Sequence, residues 1–186
     1  MSAGEAEGYV RQRARLFFAL WPEPQVQAAL AELGRGLRHR LGGKPVRQES
    51  IHLTLAFLGD VALEKMSDVE AAAARAAFEP FSFTLDAAGC WKHGGVAWVG
   101  PSEMPQPLLR LAGSLADALL DAGFRMDGRP YAAHVTLVRK ARCRPIDLAV
   151  VPMRWEVEDF VLVRSELNAE GSRYSVIGRW PRAKDN

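Results

Sequence analysis

Cysteine is almost absent from this sequence. The 186 residues include only two, Cys90 and Cys143, which are far apart and show no Cys-x-x-Cys or mixed Cys/His spacing. A disulfide-rich secreted domain or a structural zinc site needs more sulfur ligands at closer spacing. The sequence therefore predicts neither a disulfide framework nor a metal site.

Long apolar runs are missing as well. The longest run near the start, Leu16 to Trp21, is stopped by Pro22 and is too short for the core of a signal peptide. No segment approaches the roughly 20 apolar residues that a membrane-spanning helix requires. We therefore expect no membrane association and a cytoplasmic location.

Neither sign of charge dominates. The chain has 24 Lys and Arg residues against 22 Asp and Glu residues, a formal net charge of +2, so no strong overall field draws it to nucleic acid or membrane. The basic residues are mostly arginine and cluster at 35–47 and 139–144. The planar arginine side chain suits phosphate, but base composition of the gene also explains an arginine bias, and both explanations stay open.

Apolar periodicity predicts the order of helices and strands. After a flexible tail over 1–14, a strand is predicted from Arg15 to Leu20. Three helices are predicted at 24–41, 63–78 and 106–122. Further strands are predicted around His52 and His134, and at 81–85, 96–99, 155–167 and 174–180.

This order disfavours a doubly wound parallel sheet, because helices stop alternating with strands and no Gly-rich phosphate loop occurs. We predict an α+β fold for one bilobal domain over 15–182. It should contain two antiparallel sheets with outer helices in a pseudo-twofold arrangement around a central cleft. The strands that carry His52 and His134 should face each other across that cleft.

Two short stretches repeat one pattern. His52-Leu53-Thr54-Leu55 and His134-Val135-Thr136-Leu137 each place a threonine two residues after a histidine, and they use two of only four histidines. Side chains at i and i+2 of a strand share a face, so Leu53, Leu55 and Phe57 should enter the core. A lone histidine on a strand is usually structural. Two matching pairs predict a cleft lined by two imidazoles and two hydroxyls.

These side chains suit phosphodiester transfer without a metal. Imidazole, with an ordinary pKa near 6.5, lets one histidine accept a proton from the attacking oxygen while the other protonates the leaving oxygen. Threonine hydroxyls can donate to the non-bridging oxygens. A threonine nucleophile fits less well, because Thr54 and Thr136 have no evident lysine or acidic orienter. A metal site also fits less well, because two histidines with no nearby carboxylate would leave most of the metal's coordination sphere empty.

The residues around both patterns resemble the two signatures of the two-histidine (2H) phosphoesterase superfamily. Within it, the chain is most similar to the bacterial and archaeal RNA 2′,3′-cyclic phosphodiesterases, also called 2′-5′ RNA ligases. The signature matches are His52 to Gly59 and Arg129 to Arg139, and weaker matches occur at Arg15 to Leu20, Ser165 to Leu167 and Tyr174.

The resemblance implies a reaction and its residues. His52 and His134 would hydrolyse 2′,3′-cyclic phosphate ends of RNA to 2′-phosphomonoesters, with His52 as acid on the departing 3′ oxygen and His134 as base on water. Thr54 and Thr136 would bind the phosphate, and no cofactor would be needed. Reversible 2′-5′ joining of tRNA fragments would be a side activity.

Two positions qualify the resemblance. It places Arg139 near the substrate, but regular alternation puts Arg139 on the opposite face from His134, so this role requires a bend at the strand end. Ala133 departs from the family pattern, which often has a proline there. A proline there would restrict the backbone where the chain enters the strand, and it takes no part in the chemistry, so its loss leaves the chemistry unaffected.

Three functions stay open on the sequence. The first is an RNA 2′,3′-cyclic phosphodiesterase, acting as a monomer on RNA ends such as those of tRNA fragments. The second is a phosphodiesterase of a small cyclic nucleotide such as ADP-ribose cyclic phosphate, which would use the same catalytic centre. The third is a non-catalytic nucleotide- or RNA-binding module. The two intact His-x-Thr pairs count against the third, because a binding module has no need for both imidazoles.

Overall fold

An eight-stranded antiparallel sheet forms the centre of the fold. The computed structural model describes residues 12–126, 128–144, 150–168 and 171–181. Its strands are β1 (Arg13–Leu20), β2 (Lys44–Pro45), β3 (Leu53–Ala62), β4 (Phe81–Leu85), β5 (Ala87–Trp91), β6 (Val96–Gly100), β7 (Val135–Arg139), β8 (Met153–Val157), β9 (Phe160–Asn168) and β10 (Gly171–Trp180). Its helices are α1 (Pro24–Leu41), α2 (Met66–Arg75) and α3 (Gln106–Asp121), and short 3₁₀ turns cover Gln48–Ser50 and Leu63–Lys65.

The sheet topology confirms the predicted α+β class with two antiparallel sheets. The large sheet has the order β10-β9-β1-β3-β7-β6-β5, with β2 beside β7, and β4 and β8 form a separate pair. Both motif strands line one cleft, as we expected, and they belong to the same large sheet. Strands β3 and β7 are neighbours in the large sheet, joined by a single residue pair, Leu53 with Val135. The two motifs therefore meet at one junction inside the large sheet.

The helices cover one face of this sheet. Helix α1 packs on β2 and β7, and α3 packs on both α2 and β3. The apolar motif residues Leu53, Leu55, Val135 and Leu137 join the helices in the main core. Within the described segments, no helix is long and apolar enough to cross a membrane. The opposite sheet face carries a smaller apolar cluster, formed by Phe17, Ala19, Val161 and Val163.

Helix α1 packs on β7 at Gly34. A Cβ atom there would lie 3.4 Å from the carbonyl oxygen of Leu137, which is an ordinary van der Waals contact, so the backbones of the helix and the strand lie side by side at this point. The helix begins at Pro24, as predicted for a proline in a first turn. It ends before Gly42, whose φ of +67° suits glycine. These features place the C-terminal end of α1 beside the second motif strand.

Cys90 and Cys143 form a disulfide, contrary to our expectation from their spacing. Their Cα atoms are 5.4 Å apart, although 53 residues separate them in the sequence. The turn between β5 and β6 meets the loop that follows β7, where the N–H of Ala141 donates to the carbonyl of Gly95 at 2.9 Å. Sequence spacing could not reveal this bond, because strand pairing brings the two cysteines together.

Phe57 was predicted to enter the core, but 45% of it is exposed. The reason is a β-bulge, because the register between β1 and β3 shifts at Leu55. Leu55 and Ala56 are both buried, so the alternation along β3 is interrupted and Phe57 turns outward. The guanidinium of Arg15 lies over its ring, 4.9 Å from the centroid.

Two boundaries also differ from prediction. The predicted tail over 1–14 lies outside the described residues as far as residue 11, but Arg13 and Ala14 belong to β1, where Ala14 is buried. Helix α2 is shorter than 63–78, because a 3₁₀ turn precedes it and Ala76 is already extended. Residue 182, the predicted end of the domain, lies outside the described residues.

Candidate active site

A cleft of about 500 Å³ opens at the junction of β3 and β7. Its lining contains all five residues that the sequence singled out, namely His52, Thr54, His134, Thr136 and Arg139. Each histidine comes immediately before its strand, and each threonine is the second residue of that strand. The fold thus brings together two motifs that are about 80 residues apart in the chain.

A second β-bulge explains how Arg139 reaches the cleft. The register between β6 and β7 shifts beside Leu137. Leu137 and Val138 are both buried, so the alternation that begins with His134 and Thr136 is displaced by one residue. Arg139 consequently lies on the cleft side with them. This bulge supplies the bend that the predicted role of Arg139 requires.

The same backbone contact orients both histidine rings. Nδ1 of His52 lies 2.7 Å from the carbonyl oxygen of Ser50, and Nδ1 of His134 lies 2.8 Å from that of Ala132. A carbonyl oxygen can only accept, so Nδ1 carries the hydrogen in each ring. Nε2 is then the nitrogen available for proton exchange. The sequence motif does not reveal this contact, because the acceptor is a main-chain atom two residues before each histidine.

Aromatic rings surround His52. Trp21 stacks on it with centroids 5.4 Å apart and planes within 3°. Phe17 lies at 4.8 Å and Tyr174 meets it edge-on at 5.3 Å. Burial lowers the pKa of His52 to about 4, and the charges of Arg139 and His134 act in the same direction, although the Ser50 carbonyl opposes them. His52 is therefore neutral at pH 7 in the free protein.

His134 has a more open environment. Trp91 contacts it edge-on, with ring centroids 4.5 Å apart. Burial lowers the pKa of His134, and the positive charge of Arg139 adds to this, whereas the hydrogen bond to Ala132 raises the pKa. An anion in the cleft would offset the charge of Arg139 and favour the protonated form of both rings.

Tyr131, which the sequence analysis did not single out, connects the two motifs. It precedes β7, and its hydroxyl donates to the carbonyl of Thr54 on β3 at 3.1 Å. Burial raises the pKa of Tyr131, so the hydroxyl keeps its proton and remains a donor. This bond reinforces the junction where the two strands share only one residue pair. No sequence pattern predicts this role of Tyr131, because a single tyrosine before a strand can be a core, surface or hydrogen-bonding residue.

The cleft suits an anion better than a metal ion. Four basic residues line it, namely Lys44, Arg47, Arg139 and Lys140, and no carboxylate from the described segments does so. Over those segments, no group of three or more His, Cys, Asp and Glu side chains is placed to hold a metal. The positive potential of such a lining attracts phosphate groups.

Comparisons with known proteins agree with this geometry. A family model described as LigT like Phosphoesterase matches residues 20–98 and 99–174, and each match contains one motif. The chain is 32% identical over 168 residues to the RNA 2′,3′-cyclic phosphodiesterase of Escherichia coli (strain K12), covering 89% of this chain and 95% of that protein. It is 34% identical over 177 residues to the enzyme of that name from Thermus thermophilus, covering 89% of each.

A solved structure is also similar over nearly the whole length. The crystal structure of E. coli LigT complexed with 3′-AMP has a TM-score of 0.77 and 31% sequence identity to this chain. The match covers 91% of this chain and 98% of that one.

Proposed function

The chain belongs to the LigT-like phosphoesterase family, and we propose that His52 and His134 hydrolyse RNA 2′,3′-cyclic phosphodiester ends to 2′-phosphomonoesters. One observation carries this proposal. Two imidazoles with available Nε2 atoms and two threonine residues line one cleft of positive charge. That set can move two protons at one phosphate without a Lewis acid.

The reaction needs one base and one acid. One Nε2 accepts a proton from water as the water oxygen attacks phosphorus. The bond from phosphorus to the 3′ oxygen breaks, and the other histidine gives a proton to that oxygen. Thr54 and Thr136 donate hydrogen bonds to the non-bridging oxygens, and Arg139 offsets the negative charge that collects on them. Proton exchange with solvent then restores the starting forms.

The unequal surroundings of the rings support an assignment of roles. We assign the acid to His52 and the base to His134, as the family resemblance implies. The low pKa of His52 makes its protonated ring a strong acid, and the stacked Trp21 face can stabilise that cation. The negative charge of the bound phosphodiester would raise the pKa of His52 in the complex and so favour the protonated ring. The hydrogen bond of the His134 ring is exposed, whereas that of the His52 ring is partly buried, so His134 is more open to water, as a base acting on water requires.

Several finer properties form part of the proposal. The enzyme acts without a metal, and it acts as a monomer, because a single chain supplies every side chain of the centre. It works in the cytoplasm on ends such as those of tRNA fragments. If the 5′ hydroxyl of a second RNA takes the place of water and attacks the cyclic phosphorus, the bond to the 3′ oxygen breaks in the same way, and the product is a 2′-5′ joined RNA.

The test uses three substrates with EDTA present. Purified protein is incubated with 2′,3′-cyclic AMP, with a short RNA that ends in a 2′,3′-cyclic phosphate and with ADP-ribose cyclic phosphate. The product isomers are separated by chromatography, and binding of the same compounds is measured by calorimetry. We expect the 2′-phosphate from the first two. Activity that is lost in EDTA and restored by a divalent ion would place the reaction in the metal-dependent class. Binding without turnover would identify a binding module, and turnover of ADP-ribose cyclic phosphate alone would favour a small-nucleotide enzyme.

A further inference from the structure

The two arginine-rich clusters of the sequence form one surface in the fold. Strand β2 pairs with the end of β7, which places Lys44 opposite Arg139. Farther along, the N–H of Arg142 donates to the carbonyl of Leu41 at 2.8 Å. The guanidinium of Arg144 donates to the carbonyl of Arg40 at 3.0 Å. Residues about 100 positions apart in the chain therefore lie side by side.

A glycine makes this contact possible. Gly43 has a φ of +84°, and a Cβ atom there would lie 2.5 Å from the carbonyl oxygen of Arg139. Only glycine fits a left-handed conformation at such a close approach. The end of α1 and the loop after β7 are thus held together at main-chain carbonyls, one of them through the guanidinium of Arg144, while the arginine side chains of both stretches remain exposed.

The side chains of this surface are exposed and positively charged. We call Lys44, Arg47, Arg139 and Lys140 the inner ridge, because they line the cleft. Arg38, Arg40, Arg142 and Arg144 form the outer ridge, and all four are exposed but do not line the cleft.

Few acidic side chains lie near the basic residues of the inner and outer ridges. Arg47 lies 3.5 Å from Glu49, and among the described residues it is the one member of either ridge with a carboxylate within ion-pair distance. The stretches 33–48 and 139–144 contain no Asp or Glu at all. The inner and outer ridges together therefore form a band of positive charge. The band begins beside the two histidines and continues beyond the cleft, a pattern typical of a site for a polyanion.

We propose that the outer ridge binds the phosphate backbone of RNA upstream of the cyclic end, so that the protein prefers RNA chains to cyclic mononucleotides. This inference rests on the proposed function of the cleft. When the terminal cyclic phosphate lies between the histidines, the next phosphates on the 5′ side pass the inner ridge and reach the arginines outside. Contacts of this kind are made to phosphate and carry no base sequence.

The experiment compares two variants of equal charge loss. The test variant combines Arg38→Gln with Arg142→Gln. The matched control combines Arg110→Gln with Arg154→Gln, which removes two exposed arginines that do not line the cleft. For each protein, kcat/KM is measured with 2′,3′-cyclic AMP and with a ten-nucleotide RNA ending in a cyclic phosphate, over a series of salt concentrations.

The expected result is selective. The test variant should lose about tenfold in kcat/KM for the RNA at low salt, and the slope of log kcat/KM against log salt should fall by roughly 1.4, since each phosphate contact on a single strand contributes about 0.7. Its kcat/KM for cyclic AMP should stay within twofold of the wild type. The control variant should match the wild type on both substrates. Equal losses on both substrates, or no loss on RNA, would overturn the proposal.

A binding measurement separates this proposal from the proposed function. Fluorescence anisotropy with a labelled RNA that ends in a 2′-phosphate reports affinity without turnover. If the wild type hydrolyses neither substrate, the proposed function fails, while weaker RNA binding by the test variant than by the control still supports the outer ridge. Unchanged RNA binding together with lost binding to phosphatidylserine vesicles would assign the ridge to a membrane surface and refute the RNA proposal.

Discussion

His52 and His134 occupy matching motifs but unequal environments. Each ring is oriented by a carbonyl two residues earlier. Three aromatic rings surround His52, whereas Trp91 alone among the aromatic side chains of the described residues contacts His134. A shared orientation with unequal burial is what an acid and a base of different strength require.

Removal of either imidazole should impair turnover without unfolding the protein. We expect His52→Ala and His134→Ala each to lower kcat/KM for 2′,3′-cyclic AMP by about 10²–10⁴-fold, the usual contribution of a general acid or base. The fold-loss in kcat/KM of the double variant should be far smaller than the product of the two single losses, because both rings act in the same proton-transfer reaction. His93→Ala, at an exposed turn residue that does not line the cleft, is the control. Near-full activity in either single variant, with a native circular dichroism spectrum, would exclude the two-histidine mechanism.

The pH profile should reflect the lowered pKa of each histidine. Burial and Arg139 lower the pKa of His52 and of His134 in the free protein. We therefore expect a bell-shaped kcat/KM profile with its maximum on the acid side of pH 6.5, and a kcat profile shifted to the alkaline side because the bound anion raises both pKa values. The limbs belong to the coupled pair. Arg139→Gln should shift the kcat/KM maximum to higher pH. A profile with one limb between pH 4 and 9 would contradict this prediction.

Loops and bulges, more than the strands themselves, complete the site. The bulge beside Leu137 turns Arg139 into the cleft, and the loop that follows β7 carries two of the four arginines of the outer ridge, Arg142 and Arg144. The disulfide from Cys90 to Cys143 joins this loop to the β5–β6 hairpin. Trp91, which contacts His134, immediately follows Cys90. The disulfide therefore restrains two parts of the cleft wall at once.

Loss of the disulfide should lower stability substantially. The cysteines are 53 residues apart, and the chain-entropy relation for a loop of that size gives about 4 kcal/mol of unfolding free energy, with a usual range of about 2–4 kcal/mol. Urea denaturation should show this difference between the oxidised wild type and the Cys90→Ser/Cys143→Ser variant. Dithiothreitol should bring the wild type to the stability of the variant and leave the variant unchanged. Equal stability of oxidised and reduced wild type would contradict the prediction.

The whole molecule is organised by a weak junction at its centre. Strands β3 and β7 share one residue pair, and the hydroxyl of Tyr131 adds a bond between them. The family model matches once on each side of residue 98. Each half thus supplies one histidine and one threonine, and the cleft exists because the two halves meet without a continuous ladder.

Unfolding free energy should fall in acid in a way that depends on His52. The folded protein holds His52 neutral with a pKa of about 4, whereas the unfolded chain protonates it near pH 6.5. A folded-state pKa below the unfolded value means that stability is present above pH 6.5 and is lost as the pH falls towards 4, by at most about 3 kcal/mol. Urea denaturation at pH 7.5 and 4.5 measures the loss. His52→Gln should show a smaller loss over this range, and an equal loss would refute the explanation.

The sequence by itself determined the parts of this protein that depend on local spacing. The two His-x-Thr motifs, the three helices and the α+β class follow from periods of two and 3.6 residues, which neighbouring side chains impose on their own backbone. The choice of His52, Thr54, His134 and Thr136 as candidate site residues needed no more than that spacing, and all four line one cleft.

Only the tertiary structure decided what depends on register. Single extra residues in β3 and β7 turned Phe57 outward and Arg139 inward, and a regular alternation cannot show where such a residue falls. The pairing of β3 with β7, the disulfide and the joining of the two basic clusters each link segments about 50 to 100 residues apart. No local pattern records these contacts, because a one-residue change of register between strands redirects every side chain beyond it.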